Sequence, residues 1–231
     1  MYSGFFYWDL ILLIPAMVLG IYAQFKVKSA FNRYSQIPSA RGLTGAQGAR
    51  IVLDSAGLTG VDIEVGGSTL SDHYDPRTRR LSLSPAVGNS NSLAALGVAA
   101  HEAGHAIQHA EGYAALRLRS AMVPVANIGT NLGLILFVVG IVIASYSGNS
   151  LLMNIGIVLY AAAVLFTVVT LPVEFNASKR AMAELQNRSI LVADELTGAR
   201  KVLSAAALTY VAAALSAILT LLRLVLVSRR S

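Results

Sequence analysis

The 231-residue chain contains no cysteine, so disulfide bonds and thiolate metal ligands are both excluded. Any transition-metal site must therefore be built from histidine and carboxylate side chains. The chain is also poor in charged residues, which make up 13% of it, whereas about a quarter of a typical soluble domain is charged. Because 55% of the residues are hydrophobic, the composition favours a membrane protein over a soluble one.

Several apolar runs are long enough to cross a bilayer, which requires about 20 apolar residues in a helix. They cover approximately residues 5–25, 121–145, 151–171 and 203–227. In the first run, Tyr7 and Trp8 are typical of the aromatic belt at a membrane interface. A cleaved signal peptide is the alternative for this run, but the run lacks a basic n-region and a clear small-x-small cleavage site. We therefore expect a retained helix.

Fifteen of the 18 basic residues lie in two polar segments, 26–120 and 172–202. By the positive-inside rule, both segments are expected in the cytoplasm and both chain termini outside. The basic residues lie beside apolar runs and are not interleaved with aromatic residues. We therefore expect contact with the lipid bilayer and no binding of nucleic acid.

The predicted fold class is a mainly α membrane protein with about four transmembrane helices and a small cytoplasmic α+β domain. Its expected location is a bacterial-type cell membrane. Pro124 is predicted in the first turn of the second apolar run, and Pro172 between the third run and a polar helix. The predicted parts are a transmembrane helix (1–25), a cytoplasmic region with a small sheet (26–120), a transmembrane hairpin (121–171), a second cytoplasmic segment (172–202) and a fourth transmembrane helix with a tail (203–231).

The first polar segment contains signals for a short helix and a small sheet. Thr44 is a predicted N-cap for a helix over 43–56 that ends at Gly57. The sequence VDIEVGG alternates as a strand does, and Leu81 and Leu83 alternate with serines. A further helix is predicted from about Leu93 to Glu111, preceded by residues that can cap it.

That helix carries the sequence HEAGH, in which His101 and His105 are four residues apart. Side chains at this spacing share one helix face, so both imidazoles can reach one metal ion. Glu102 points about 100° away around the helix, where it can act on a water molecule instead of binding the metal. This H-E-x-x-H arrangement is typical of zinc metalloproteases, and it predicts Zn²⁺ as cofactor and Glu102 as general base.

Glu174 is the candidate for the third protein ligand that a catalytic zinc requires. The predicted hairpin returns the chain to the side from which it entered, so Glu174 should come close to the HEAGH helix. A solvated carboxylate at a helix start is the alternative. His109 lies about 12 Å further along the helix than His101, which is too far to bind the same ion, and we expect it to be a helix-end residue.

The segments HEAGHAIQH, LSDHYDP, PVEFNASKRA and AAALTYVAAALSAIL together resemble the YugP-type family of neutral zinc metallopeptidases, which are membrane proteins. EFNAS also resembles the E-F/Y-x-A-D segment of HtpX-type membrane proteases. These resemblances imply a gluzincin-like domain and support Glu174 as the third zinc ligand. Ser178 stands where that motif has aspartate, so the expected hydrogen bond to a zinc-bound histidine would have to come from Asn176 or another acid.

The expected function is hydrolysis of protein or peptide substrates at the cytoplasmic face. His73, Tyr74 and Arg180 are the candidates for contacting the oxyanion or the substrate. For His73 and Tyr74 the alternative is a role as turn residues, with His73 bonded locally through Asp72 or Asp75. An inactive zinc-binding scaffold or chaperone-like protein is the alternative function, and a transporter is disfavoured because few ionisable residues lie in the apolar runs.

Overall fold

The computed structural model describes residues 3–67 and 71–229, apart from the side chains of residues 3–10 and 12. The expected interfacial positions of Tyr7 and Trp8 therefore lie outside the described residues. The protein is mainly helical. Its helices are α1 (Ser3–Tyr34), α2 (Gly45–Ser55), α3 (Pro85–Gly88), α4 (Leu93–Ala110), α5 (Ala114–Ser147), α6 (Leu151–Asn187) and α7 (Ala193–Ser228), and its strands are β1 (Asp62–Val65), β2 (His73–Asp75) and β3 (Arg80–Leu83).

The chain forms two compact units. Each of the long helices α1, α5, α6 and α7 contributes residues to both units. The first unit takes in the chain up to Ala23, residues 118–171 and the chain from Thr209 onward. The second unit consists of residues 24–117 and 172–208. We refer to them as the apolar unit and the site unit, because the second contains His101, His105 and Glu174.

Within the described residues, three helices are long and apolar enough to cross a membrane, namely α5, α6 and α7. In the most apolar 18-residue stretch of each helix, at most 28% of the residues are buried, as expected for side chains that face lipid. Glycines let α5 and α6 approach closely, because a Cβ on Gly133 would lie 2.9 Å from the backbone nitrogen of Tyr160. Small residues at such contacts are typical of packed membrane helices.

Two prolines lie inside helices where breaks or boundaries were predicted. Pro124 is an interior residue of α5 and not part of a first turn, since α5 begins at Ala114. Pro172 likewise lies inside α6, so the third apolar run and the polar segment after it form one continuous helix. A proline removes only one backbone donor, and a long helix tolerates this when its flanking turns keep their hydrogen bonds.

The small sheet and the caps of the site unit agree with the sequence patterns. Strand β3 pairs in parallel with β1 and antiparallel with β2. Leu81 and Leu83 of β3 are fully buried. Thr44 caps α2 in a capping box with Gln47, and Ser92 caps α4 by accepting a hydrogen bond from the Ala95 backbone nitrogen. His73 and Tyr74 lie in β2 and are therefore strand residues, not turn residues.

Helix α4 lies at the centre of the site unit and is buried along most of its length. It contacts α2, α3, β2 and β3. Its small residues also allow close contact with the long helices. A Cβ on Gly97 would lie 3.4 Å from Ala199 of α7, whereas a Cβ on Gly104 would lie only 2.7 Å from the carbonyl oxygen of Ala177 of α6. No residue larger than glycine fits at position 104 without moving a backbone.

We therefore predict opposite effects for two Gly→Ala substitutions on the same helix. Gly104→Ala should separate α4 from α6 and destabilise the protein by about 1–3 kcal/mol, the usual cost of overpacking. Gly97→Ala makes an ordinary contact and should be neutral or stabilise α4 by up to about 1 kcal/mol. Thermal unfolding in detergent would measure both changes, and equal melting temperatures for the two variants would contradict the close contact.

Candidate metal centre

Three side-chain atoms that could bind a metal ion converge at one point of the site unit. The Oε2 atom of Glu174 lies 3.2 Å from Nε2 of His101 and 3.6 Å from Nε2 of His105. In a tetrahedral zinc site with bonds of about 2.0–2.2 Å, two ligand atoms are about 3.4 Å apart. Among the residues that the structure describes, these three side chains form a cluster of histidine and acidic groups that could hold a metal ion. The donor set therefore fits zinc.

The site combines one helical turn with one contact between helices. His101 and His105 lie one turn apart on the same face of α4. Their rings pack edge to face with centroids 4.8 Å apart. Glu174 comes from α6, three residues before Ala177, whose backbone contacts Gly104. The position between the two helices is nearly dry, since Glu174 is 3% exposed and His105 is 8% exposed.

Burial and hydrogen bonding act in opposite directions on Glu174. Burial alone would raise the pKa of its carboxyl group, but hydrogen bonds from His101 and His105 hold that pKa well below its usual range. For His105, burial lowers the pKa of the imidazole, while the contact with Glu174 more than offsets this and raises it. Such a carboxylate is ionised and accepts hydrogen bonds from two imidazoles. A metal cation can replace these hydrogens and bind all three groups.

Each histidine also has a partner at its other ring nitrogen. The hydroxyl group of Ser178 lies 3.1 Å from Nδ1 of His101. The residue that replaces the motif's aspartate thus makes the contact itself, and neither Asn176 nor another acid is needed for it. Nδ1 of His105 lies 3.0 Å from the amide oxygen of Gln108. Sequence reasoning missed Gln108, although its position three residues after His105 places the two on one helix face.

Glu102 follows His101 on α4 and is partly buried. Burial raises the pKa of its carboxyl group, and the nearby imidazoles of His101 and His105 offset part of this effect. A carboxylate with a raised pKa is a stronger base than an exposed one, which suits a group that takes a proton from water. The local environment is therefore compatible with general-base chemistry.

The three residues predicted to contact oxyanion or substrate are placed differently from one another. His73 is exposed, and its Nδ1 atom contacts the carbonyl oxygen of Ser71 and not Asp72 or Asp75. The hydroxyl group of Tyr74 lies 2.9 Å from Nδ1 of His109, in the last turn of α4. Tyr74 and His109 line a cavity of about 320 Å³ between α4, β2 and the turn after α2, and His73 does not.

Arg180 instead contacts Glu111, which caps the C-terminus of α4, and Asn176 of α6. Its Nη2 atom lies 2.6 Å from a carboxylate oxygen of Glu111. Its Nε–H donates to the amide oxygen of Asn176 over 2.7 Å. Glu111 is half exposed, and this ion pair lowers the pKa of its carboxyl group.

The sequence matches a known family over nearly its full length. The profile of the family described as "putative neutral zinc metallopeptidase" matches residues 9–229. The chain belongs to this neutral zinc metallopeptidase family. It is 47% identical over 216 residues to a protein of Bacillus subtilis (strain 168) named "putative membrane protease YugP", with 94% of each chain covered. No solved structure matches the chain.

Family membership and local geometry indicate the same cofactor. The description of the family names zinc as the metal. The buried group of two histidines and one glutamate offers the ligand types of a catalytic zinc site. The relative is described as a membrane protease, in agreement with the three long apolar helices found within the described residues. Zinc is therefore the cofactor of this membrane protein.

We predict that Ser178→Ala weakens zinc binding by about 10–100-fold, the usual effect of removing the partner of a metal-binding histidine. The substitution leaves His101 without its hydrogen bond at Nδ1. Competition with a chelator in detergent would measure the affinity. Ser204→Ala, at an exposed position of the same unit, is the matched control. Equal affinities in the two variants would contradict a role for Ser178.

Proposed function

We propose that this protein is a membrane-bound zinc-dependent peptidase that cleaves peptide bonds at the cytoplasmic face of the membrane. The observation that carries the proposal is the convergence of His101, His105 and Glu174, with Glu102 next to His101 on α4. A site that only stabilises the fold has no need of a partly buried base next to the ligands. The gluzincin-like character of the site unit belongs to the same proposal, because its third ligand is a glutamate from a second helix.

Each side chain has a role that follows from its position. Zinc, when bound, lowers the pKa of a water molecule toward about 7 and polarises the carbonyl group of a peptide bond. Glu102 takes a proton from the attacking water and then delivers it to the leaving amine. Ser178 and Gln108 orient the imidazoles of His101 and His105 through their Nδ1 atoms.

The proposed substrates are extended segments of proteins or peptides. The sheet order is β1-β3-β2, so β1 and β2 are its two edge strands. An extended segment can add to such an edge through backbone hydrogen bonds. Strand β2 contacts α4, the helix of the zinc histidines, which supports His73 and Tyr74 of this strand as the proposed substrate contacts.

The proposed membrane arrangement has four spanning helices, with α1 as the first. Both polar segments that carry site residues then lie in the cytoplasm, as the distribution of basic residues favours. The bilayer is thus a partner of the protein, and nucleic acid is not.

Substitution of the base should separate catalysis from zinc binding. Glu102→Gln keeps the size of the side chain, so folding and a zinc content of about one per chain should survive while peptide cleavage falls. General acid–base catalysis contributes about 10²–10⁴-fold, and here one residue serves both proton transfers, so we expect a loss near the upper end. His101→Ala should instead lose zinc. Zinc content and turnover of a peptide library would measure both effects.

Unchanged turnover in Glu102→Gln would rule out the proposed mechanism. If the wild-type protein binds zinc but cleaves nothing across broad libraries, the inactive scaffold is the better explanation.

Reporter fusions would measure the proposed topology. Fusions at Gly57 and Arg188 should report cytoplasm, whereas fusions at Gly148 and the C-terminus should report the outside, because most basic residues lie in the segments 26–120 and 172–202. Reporters at Gly57 and Gly148 that give the same side would contradict the arrangement.

A further inference from the structure

Gln108 is the most buried polar side chain among the described residues, with 0% exposure. Its amide group makes three hydrogen bonds. The oxygen faces Nδ1 of His105, and the nitrogen donates to the carbonyl oxygen of Val173 and to the amide oxygen of Asn176, each over 2.9 Å. A buried glutamine with all three contacts made has only one orientation available.

The orientation of this amide follows from partners whose roles cannot change. The carbonyl oxygen of Val173 can only accept, so the Gln108 group that faces it must be the NH₂ group. Asn176 is oriented in the same way, because the Nε–H of Arg180 can only donate and therefore faces the amide oxygen of Asn176. That oxygen in turn accepts the second hydrogen of the Gln108 amide.

The orientation of the Gln108 amide determines which ring nitrogen of His105 carries a hydrogen. Since the nitrogen of Gln108 is engaged elsewhere, its oxygen must face His105, and an amide oxygen only accepts. Nδ1 of His105 must therefore carry a hydrogen. In the structure, Nε2 faces Glu174 and can donate a hydrogen to its carboxylate. Once that hydrogen is lost, the neutral imidazole keeps its one N–H group at Nδ1, and Nε2 has the lone pair with which it can bind a metal.

The two zinc histidines differ in this respect. The partner of His101 is the hydroxyl group of Ser178, which can donate or accept and so does not select a tautomer. For His105, the tautomer depends on Arg180, which orients Asn176 and through it Gln108. Arg180 lies near the surface, and its ion pair with Glu111 at the end of α4 holds the guanidinium in place.

We propose that Gln108, Asn176 and Arg180 form a positioning chain that keeps His105 in the Nδ1–H form and directs its Nε2 atom toward zinc. This inference rests on the zinc site of the proposed function. It makes Arg180 a positioning residue that acts through Asn176 and Gln108, and not a substrate contact.

The experiment compares Gln108→Leu and Arg180→Met with Lys179→Met, which removes the same charge from an exposed neighbour on α6. Zinc affinity is measured by chelator competition. The ring N–H signals of the zinc-loaded protein are recorded after ¹⁵N-histidine labelling, since the chain has only four histidines to assign. Ser178→Ala serves to identify the signal of His101.

We expect Gln108→Leu to weaken zinc binding by about 10–100-fold and to abolish the protected Nδ1–H signal of His105. Arg180→Met should cause a smaller loss of affinity and faster exchange of the same signal, while the His101 signal stays unchanged in both variants. Lys179→Met should match the wild type. If Gln108→Leu fails to fold, Arg180→Met decides, because its side chain lies near the surface.

The positioning chain is overturned if Arg180→Met and Lys179→Met agree in zinc affinity and in the His105 signal. It is also overturned if wild-type His105 has no Nδ1–H signal in the zinc-loaded state. A wild-type protein that shows this signal and its predicted dependence, yet cleaves no peptide, leaves the positioning chain intact and rejects the peptidase. The two proposals can therefore fail separately.

Discussion

The close contact between α4 and α6 at Gly104 is the constraint on which the candidate metal centre depends. A glycine on one helix meets the backbone of Ala177 on the other, so Glu174 comes within 3.2 Å of His101 and 3.6 Å of His105. Ala177 and Ala181, one turn apart on α6, are both fully buried. Larger side chains at these positions would separate the ligands, because interiors are packed too densely to absorb them.

This contact also places polar groups where water is nearly absent, and each of them must then find a partner in the protein. Glu174 is paired with two imidazoles, and the imidazoles with Ser178 and Gln108. A buried carboxylate that lost its partners would be strongly destabilising. The polar contacts therefore serve both the fold and the chemistry, since the groups that satisfy burial also direct the ring nitrogens that a metal needs.

The sequence predicted much of the local structure because local structure depends on neighbours along the chain. The spacing of His101 and His105, the caps Thr44 and Ser92, and the alternation of Leu81 and Leu83 all report contacts within a few residues. The prolines were harder to interpret. A proline lowers the local preference for helix, but the turns on both sides of Pro172 continue α6, and only the full set of helix contacts decides such a case.

The sequence by itself thus determined the chemical type of this protein: no thiolates, several apolar runs, and a pair of histidines with a glutamate on one helix. Only the tertiary structure decided which distant groups complete the site. Ser178 contacts a histidine 77 residues away, and Gln108 contacts a backbone carbonyl 65 residues away. Such partners depend on the angle and depth at which two helices meet, and that geometry is set by packing over whole helices rather than by any short segment.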